Sequence, residues 1–336
     1  MKEKILCIQL KQIGDVLMVT PAIRALADAN PHAEIHILTQ KPSDQIFQHN
    51  PNISTLILHP GSNSIRDNIS LIRRIRKERY TAVIDFFGQL KTAILARLSG
   101  APIRIGFEKT GRSIFYTHPV KDTHTKPYSA LQKAHLLTAL GIEQVKPGLE
   151  FPVGPDEETA ADRILESIGW DRTKRLISVS PVSRRNYKIW PAEKFATVCD
   201  ALVDEWDAQI LFLWGPGEYH FIRDVREKMR HAALPDYDIP TISETVALLK
   251  RVDLHVGNDN GPMHFAISTG VRTVAIFGRP LQRNWTPPNQ DNHLAVEFDP
   301  GCKERCHYPK CEMECIRDVP VEAVLGKIRI QMTQTA

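Results

Sequence analysis

The segment 253–264, Asp-Leu-His-Val-Gly-Asn-Asp-Asn-Gly-Pro-Met-His, constrains the fold of this chain more than any other. The apolar run from Leu254 to Val256 predicts a strand, and the polar stretch from Gly257 to Gly261 predicts a loop. Pro262 suits the first position of a helix that Gly270 would end. The loop would therefore lie where a parallel strand ends and a helix begins, where free N–H groups and the helix dipole attract anions.

Asp259 and His264 bracket this predicted loop. A pocket of this kind fits the pyrophosphate of a nucleotide. His264 by itself could equally be an ordinary buried helix histidine, so the loop needs support from other parts of the chain.

Strand-like and helix-like segments alternate along the whole sequence. In the first half we predict strands at 5–10, 34–39, 55–58, 82–86 and 104–106, and helices at 16–29, 43–49, 69–79, 89–99 and 129–140. The segment 108–126 reads as irregular. In the second half we predict strands at 176–180, 210–214, 254–256 and 273–277, and helices at 156–168, 191–206, 218–229, up to Lys250 from a Ser243 cap, and 321–332.

This alternation predicts an α/β protein with two doubly wound, Rossmann-like domains that face a central cleft. The proline- and glycine-rich segment 147–155 reads as a linker. We therefore expect an N-terminal domain at 1–150, a C-terminal domain at 156–318, and a closing helix and tail at 319–336. Ligands of such sheets bind outside the carboxyl ends of the strands.

Composition narrows the class of protein further. The chain has 43 basic and 39 acidic residues, a net charge of +4 that is too small to indicate nucleic-acid binding. No apolar run approaches the roughly 18 residues of a membrane span, and residues 5–10 are too few for the core of a signal peptide. We expect a cytoplasmic protein.

The loop after the first predicted strand contains Gly14 and Asp15. Gly14 would let the backbone turn tightly and let a ligand approach. Asp15 either caps the following helix or serves as a general base. The glycine fingerprint of dinucleotide-binding proteins is absent from this loop, which disfavours a dehydrogenase.

Two further loops follow predicted strands of the second half. One carries three cations, Arg184, Arg185 and Lys188, which could clamp a phosphate or lie free in solvent. The other carries Glu218, which could accept hydrogen bonds from a ribose or simply interact favourably with the positive end of the helix dipole. Their shared position at the ends of strands of one sheet is the stronger indication.

Two basic regions lie in the first half. The predicted helix 69–79 carries five cations, which indicate either a solvated helix face or docking to anionic lipid head groups. Lys109, Arg112 and Lys126, in the predicted irregular segment, would suit an acidic or phosphorylated glycan acceptor or belong to a plain exposed loop.

Four cysteines are crowded near the end of the chain, namely Cys302, Cys306, Cys311 and Cys315. In a reducing compartment they are more typical of thiols or a metal site than of disulfides. Their spacing differs from the usual paired zinc ligands, so a structural zinc is the less favoured interpretation.

The chain resembles glycosyltransferase family 9, the bacterial heptosyltransferases of lipopolysaccharide core assembly. The resemblance rests on Ile13-Gly-Asp15, Thr20-Pro-Ala22, Lys188-Ile-Trp-Pro191, Gly257-Asn-Asp-Asn-Gly-Pro-Met-His264 and Ala275-Ile-Phe-Gly278. It implies the two-domain GT-B fold. It also implies transfer of a heptose from ADP-heptose to a lipid-linked inner-core sugar, with inversion and without an essential metal or cofactor.

The resemblance also implies roles for individual residues. Asp15 would be the general base, and Lys188 would neutralise the leaving diphosphate. Residues assigned to donor binding are Gly14, Ser180, Arg184, Glu218, Asp259, Asn260, Gly261, Pro262, Met263 and His264. Two departures from the family pattern are Asn260, where a small residue is usual, and the segment 180–187.

Two alternatives stay open at this point. A nucleotide-sugar epimerase can share this fold and would need no acceptor, and a non-catalytic protein could bind the nucleotide sugar alone. Asp15, Lys188 and His264 together argue against the second. As partners we expect a nucleotide-sugar donor and a lipid-linked acceptor, with contact at the inner-membrane surface and no nucleic acid.

Overall fold

The computed structural model describes residues 3–61, 64–122, 127–279, 282–288, 291–302, 306 and 308–333. The chain divides into two compact units, Met1–Pro152 and Val153–Ala336. Each unit is an α/β layer structure built on a parallel sheet, as the alternation of strands and helices predicts.

The described residues of the first unit form a six-stranded sheet in the order β3-β2-β1-β4-β5-β6. The strands are β1 (Lys4–Ile8), β2 (Glu34–Thr39), β3 (Thr55–Leu58), β4 (Ala82–Asp85), β5 (Ile103–Phe107) and β6 (His118–Val120). The helices are α1 (Ile13–Leu17), α2 (Thr20–Ala29), α3 (Ile65–Glu78), α4 (Leu90–Leu98) and α5 (Ser129–Ala134), with 3-10 turns at Ser43–Phe47, Ser113–Phe115 and His135–Leu140.

The described residues of the second unit form a five-stranded sheet in the order β11-β10-β9-β7-β8. The strands are β7 (Leu176–Ser180), β8 (Gln209–Phe212), β9 (Leu254–Asn258), β10 (Arg272–Phe277) and β11 (His293–Glu297). The helices are α6 (Pro155–Ser167), α7 (Ala192–Trp206), α8 (Tyr219–Arg226), α9 (Ile242–Leu249), α10 (Gly261–Thr269), α11 (Glu314–Arg317) and α12 (Val321–Thr333), with 3-10 turns at Asn186–Lys188 and Gln282–Asn284.

Both sheets have a topological switch point, where the chain leaves two adjacent strands in opposite directions. It lies between β1 and β4 in the first unit and between β7 and β9 in the second. Crevices form at such points outside the carboxyl ends of the strands, and ligands of open parallel sheets bind there. The switch points therefore locate the candidate sites.

The predicted single helix at 16–29 is wrong. The chain forms α1 and α2 instead, with the break at Met18 and Val19. Pro21 lies in the first turn of α2, where its missing N–H costs nothing, whereas inside one continuous helix it would remove a hydrogen bond. Thr20 Oγ1 donates to the Leu17 carbonyl at 2.9 Å and so satisfies one free acceptor at the end of α1.

Other predictions needed smaller corrections. The segment 108–126 is not wholly irregular, because it contains a 3-10 turn and β6. The helix predicted at 129–140 tightens into a 3-10 turn after Ala134. Thr241, rather than Ser243, caps α9, and its hydroxyl accepts from the Glu244 N–H at 3.2 Å. The strands β6 and β11, which lie at the edges of the two sheets, were not predicted.

The segment before α6 is held against the first unit. Glu150 N–H donates to Thr20 Oγ1 at 3.1 Å, and its carboxylate pairs with Arg24. Leu149 and Phe151 are buried. The predicted linker 147–155 therefore has no helix or strand before Pro155 but is anchored by specific contacts. In the described part of the chain, no helix is long and apolar enough to cross a membrane.

Candidate functional site

The switch point of the second sheet is closed by a tight pairing of β7 and β9. Ser180 pairs with Gly257 across the two strands. A Cβ at Gly257 would lie 2.9 Å from the Ser180 carbonyl oxygen and 3.2 Å from its Cβ. Glycine is therefore required here, since any side chain would push apart the strands that carry the two loops.

Two asparagines hold these loops in place. The Asn260 side chain is the cap of α10 and accepts from the Met263 N–H at 3.0 Å. Its Nδ2 group donates across to Ser180 Oγ at 2.8 Å and to the Val182 carbonyl at 2.9 Å. Asn258 Oδ1 accepts from the Trp190 N–H at 3.1 Å. The departure at Asn260 from the family pattern thus fastens the loop after β9 to the loop after β7.

Lys188 and Asp259 form a buried ion pair between the same two loops. Their Nζ and Oδ2 atoms are 2.6 Å apart, with the Asp259 side chain only 3% exposed. Burial raises the pKa of Asp259, and the Lys188 ammonium opposes that shift. The pair places a cation beside the first turn of α10, where the positive end of the helix dipole also attracts negative charge.

Several buried polar atoms around this pair have no hydrogen-bond partner among the described residues. They belong to Asn258 (Nδ2), His264 (Nδ1), Trp285 (Nε1) and Thr286 (Oγ1). The His264 and Trp285 rings lie 5.9 Å apart, and Lys188 Nζ is 5.8 Å from the centre of the Trp285 ring. Buried polar groups are normally satisfied, so this concentration is typical of a ligand site.

His264 is neutral in this setting. Burial lowers its pKa to about 3, and the Lys188 ammonium acts in the same direction. A neutral imidazole can donate or accept one hydrogen bond at its unpartnered Nδ1 atom. The group that carries positive charge at this site is therefore Lys188.

Gly278, at the end of β10, admits the loop that carries Lys188. A Cβ there would lie 2.5 Å from the Tyr187 carbonyl oxygen and 2.9 Å from Ile316 Cβ. The close approach of the 3-10 turn Asn186–Lys188 to β10 depends on this glycine. Trp190 anchors the other end of the loop, since it is fully buried and its Nε1–H donates to the Val319 carbonyl at 3.0 Å.

The remaining predicted donor residues of this unit are less closely held. Glu218 follows β8, next to β7 in the sheet, and its carboxylate accepts from the Gly215 N–H at 2.8 Å. One of its carboxylate oxygens is thus engaged by the glycine turn and is not free to accept a hydrogen bond from a ribose. Arg184 is exposed in the loop after β7. Gly261 and Pro262 are the first two residues of α10, and Met263 is fully buried beneath them.

Asp15 lies at the switch point of the first sheet, in the first turn of α1. It is half-buried, and its carboxylate takes part in no hydrogen bond or ion pair with a residue that the structure describes. The helix cap position belongs to Gln12, so the capping interpretation of Asp15 gains no support. The sharp turn before α1 occurs at Lys11, with φ 61°, and Gly14 lies inside the helix, which corrects the predicted role of Gly14.

Lys133 is a neighbour of Asp15 that the sequence did not reveal. Its Nζ donates to Gln9 Oε1 at 3.0 Å, at the end of β1. Burial lowers the pKa of Lys133, and the carboxylates of Asp15 and Asp85 oppose that shift. A cation on α5 therefore faces the carboxyl end of the strand that leads to Asp15.

Asp85 is a buried organiser of the same edge. Its carboxylate accepts from the Phe87 and Gly88 N–H groups at 3.1 and 2.9 Å and from the Tyr116 hydroxyl at 2.8 Å. Gly106 makes room for Tyr116, because a Cβ there would lie 2.3 Å from the tyrosine ring. These three hydrogen bonds hold the turn after β4 and the Tyr116 side chain in place, which indicates a structural role.

Two of the predicted acceptor-binding cations lie in one turn, where the Arg112 N–H donates to the Lys109 carbonyl at 2.9 Å. Lys109 is exposed, whereas the Arg112 guanidinium donates to the Gly88 carbonyl and so braces the turn after β4. Arg112 is therefore engaged in the fold and is not a free cation. Lys126 lies outside the described residues.

The four C-terminal cysteines are half-buried. Among the described residues, which exclude four of those between Cys302 and Tyr308, no group of three or more His, Cys, Asp or Glu side chains is arranged to hold a metal. The structural zinc stays a prediction for elemental analysis.

Comparison with known proteins places this architecture in a family. A family model described as glycosyltransferase family 9 (heptosyltransferase) matches residues 68–316. A lipopolysaccharide heptosyltransferase 1 from Campylobacter coli is 24% identical over 97% of this chain and 98% of its own length.

Solved structures have the same fold. A glycosyl transferase family 9 protein from Veillonella parvula superposes with a TM-score of 0.89, at 24% identity, over 99% of this chain and 98% of that chain. An E. coli heptosyltransferase solved with ADP-2-deoxy-2-fluoro heptose superposes with a TM-score of 0.68, at 17% identity, over 97% and 99%. The two doubly wound sheets described above are thus those of the GT-B heptosyltransferases.

Proposed function

The chain belongs to glycosyltransferase family 9 and is a glycosyltransferase of the lipopolysaccharide heptosyltransferase type, and we propose that it moves a heptose from ADP-heptose to a lipid-linked inner-core sugar. The ADP-heptose donor is proposed because a heptosyltransferase of the same fold was solved with a fluorinated analogue of it.

One observation carries the proposal for the donor site. Lys188, Asp259 and the first turn of α10 lie together at the switch point of the second sheet, among buried polar atoms that have no hydrogen-bond partner in the described part of the chain. A diphosphate would offer acceptors to Lys188, to the Gly261 N–H at the start of α10 and to Trp285 Nε1. Pro262 has no N–H group, and the Met263 N–H already donates to Asn260. The cluster therefore has the charge and the hydrogen-bonding capacity that a nucleoside diphosphate requires.

The proposed reaction is a single displacement with inversion at the anomeric carbon. An acceptor hydroxyl attacks that carbon, Asp15 removes the proton of the hydroxyl, and the bond to the diphosphate breaks. The departing diphosphate gains negative charge, which Lys188 and the N-terminus of α10 stabilise. Since Asp259 is already occupied by Lys188, we propose that its carboxylate holds the lysine in position.

We propose that this chemistry needs no metal ion. Lys188 and the dipole of α10 supply the positive charge that a divalent cation supplies to diphosphates elsewhere. We place the reaction on the cytoplasmic side of the inner membrane, where nucleotide sugars would be accessible to it.

The proposal is tested by incubating the purified chain with a heptose-deficient lipopolysaccharide acceptor and ADP-heptose, UDP-sugars or GDP-sugars. We expect a heptosylated acceptor, detected by mass spectrometry, when the donor is ADP-heptose, and no product with the other donors. Release or isomerisation of the sugar without an acceptor would instead indicate an epimerase. Binding of every nucleotide sugar without any product would indicate a non-catalytic protein.

A further inference from the structure

One side of the first sheet is covered by helices whose outer surface is also apolar. The helices α3 and α4 and the turn Ser113–Phe115 pack beside one another there. Leu71 and Ile75 of α3, and Ala93 and Ala96 of α4, are buried in the same core cluster. The inward-facing apolar sides of α3 and α4 are therefore packed in the core of the first unit.

The outward-facing side carries a second set of large apolar residues. They are Ile65, Ile69, Leu90, Ile94, Leu98 and Ile114, and we call the surface that they form, with Arg66, Arg73, Lys91 and Arg97, the apolar–basic face. Leu90, Ile94 and Leu98 follow helical i, i+4 spacing, so they line one stripe of α4.

The exposure of this stripe is substantial. Ile65 is 76%, Leu90 51% and Ile114 79% exposed. Single exposed apolar residues are ordinary, but a contiguous set on neighbouring elements usually marks an interaction surface. Arg76 Nη1 donates to the Leu98 carbonyl at 3.4 Å, which shows that the two helices are adjacent at this surface.

The same region concentrates positive charge. Residues 65–115 contain 11 Lys and Arg and 4 Asp and Glu, a net charge of +7, whereas the whole chain has +4. The rest of the chain is therefore net negative. Arg73, Lys91 and Arg97 form no ion pair with any residue that the structure describes, so their charges are available to a partner.

We propose that the apolar–basic face docks the protein onto an anionic lipid surface. Apolar side chains flanked by unpaired cations match the boundary between acyl chains and phosphate head groups, where amphipathic helices bind. A second copy of this chain would be a poor occupant, because two surfaces of the same positive sign repel one another.

The position of the face relative to the sheet fits this use. The helix α4 starts at Leu90, a few residues after β4 ends, so its N-terminal part lies at the carboxyl edge of the sheet, where Asp15 also lies. A protein seated on this face would present that edge close to the membrane. The proposed lipid binding is inferred from the residues of this face alone. The advantage of such binding for reaching a lipid-linked acceptor rests on the proposed function.

The test is co-flotation of the full chain with vesicles of phosphatidylethanolamine and phosphatidylglycerol, compared with phosphatidylcholine vesicles. We expect binding to the anionic vesicles that weakens as salt is added. The pair Arg73→Gln and Arg97→Gln should bind about 25-fold more weakly, at about fivefold per cation. The pair Ile69→Ser and Ile94→Ser should bind at least about tenfold more weakly.

The matched control is the pair Ile239→Ser and Ile330→Ser, which removes two apolar side chains of similar exposure, 45% and 44%, from the second unit. It should bind vesicles as the unchanged protein does. The apolar side chains substituted in these variants are exposed, and thermal unfolding of each variant should be measured to establish that it is folded.

Three outcomes would overturn the proposal: no binding of the unchanged protein to anionic vesicles, equal binding of the face variants and the control, or equal binding to phosphatidylcholine. A further outcome is that the unchanged protein forms a dimer that does not bind vesicles and that becomes monomeric only with Ile69→Ser and Ile94→Ser. That result would show that the face binds a second copy of the chain. Transfer to a delipidated acceptor fragment should be unchanged in the face variants. A failure of vesicle binding is thus separable from a failure of the proposed transfer.

Discussion

The switch points of the two sheets differ in how firmly their polar groups are held. In the second unit, Lys188 and Asp259 are paired at 2.6 Å, and Asn260 ties the two loops together. In the first unit, Asp15 is half-exposed and has no hydrogen-bond or ion-pair partner among the described residues. The same topological position thus carries a preorganised site in one unit and an open carboxylate in the other.

This difference follows from what each site has to do in the proposed reaction. Charge that develops on a leaving diphosphate is stabilised best by groups that are fixed before the reaction begins. A general base has to accept a proton, so at least one acceptor site of its carboxylate must remain free. In the proposed reaction, the second unit would therefore bind the donor and stabilise the leaving diphosphate, and the first unit would remove the proton.

The largest expected effect is that of Asp15→Asn. The amide keeps the shape of the side chain but cannot accept the proton, so kcat should fall by about 10² to 10⁴. Donor affinity, measured by calorimetry with ADP-heptose, should be unchanged. The control is Asp28→Asn, an exposed carboxylate on α2 of the same unit. A normal kcat in Asp15→Asn would remove this residue from the reaction.

A smaller effect is expected from Lys133→Met. The Lys133 ammonium donates to Gln9 Oε1 at the end of the strand that leads to Asp15. Loss of this charge-assisted hydrogen bond should lower kcat about tenfold, while the affinity for ADP, which is proposed to bind in the second unit, should not change. Lys133→Arg restores the cation and should recover most of kcat. A normal kcat in a folded Lys133→Met variant would show that Lys133 acts only in packing.

The second unit should lose stability in acid, and burial also lowers the pKa of His36 and His59 in the first unit. Burial lowers the pKa of His255 and His264 to about 3 and of His293 to about 4, and all three lie in the second unit. An unfolded histidine binds its proton near pH 6.5, so the unfolded state takes up more protons and stability is lost as the pH falls below that value. At pH 5 the loss should be about 1–2 kcal/mol per histidine.

Tryptophan fluorescence can follow this loss in one unit alone, because all 5 tryptophans lie in the second unit. Urea unfolding at pH 7.5 and pH 5 should give a lower midpoint in acid. His264→Asn should reduce the difference between the two midpoints. Identical midpoints for the unchanged protein at both pH values would contradict the buried, neutral histidines.

The smallest expected effect is that of a chelator. Transfer should continue at the normal rate in EDTA, since Lys188 and α10 are proposed to stabilise the leaving group. Elemental analysis of the same sample reports whether the four C-terminal cysteines hold zinc. Activity that disappears in EDTA and returns with magnesium, while the fold persists, would contradict the metal-independent mechanism.

Local patterns carried most of what could be predicted from the sequence. The period of the apolar residues predicted the parallel sheets, and the strand–loop–helix motif predicted the position of Asp259 and His264. The break between α1 and α2 was signalled by Thr20-Pro21 but outweighed by helical periodicity across it. Such conflicts between local signals are settled by hydrogen bonding in the folded chain.

The parts that could not be predicted depend on contacts between distant residues. Lys133 reaches Gln9 across 124 positions, and no pattern near either residue indicates that contact. Trp285 and Thr286 follow β10, and Lys188 follows β7 of the same sheet. Their position after the carboxyl end of a strand is the one sequence signal that could have identified Trp285 and Thr286. The outer apolar stripe of α4 could not be identified as exposed, because sequence alone does not say which sides of a helix are covered.

The central claim is that the buried lysine–aspartate pair of the second unit, and not charge in general, binds the donor diphosphate. The same unit offers a matched control, since Lys174 and Asp207 form an exposed pair at 2.7 Å at the opposite edge of the sheet. ADP is titrated into the unchanged protein, Lys188→Ala and Lys174→Ala by calorimetry. We predict that Lys188→Ala weakens ADP binding about 10- to 100-fold, as expected for loss of a charge-assisted hydrogen bond, whereas Lys174→Ala binds normally. Equal affinities in the two folded variants would contradict the claim.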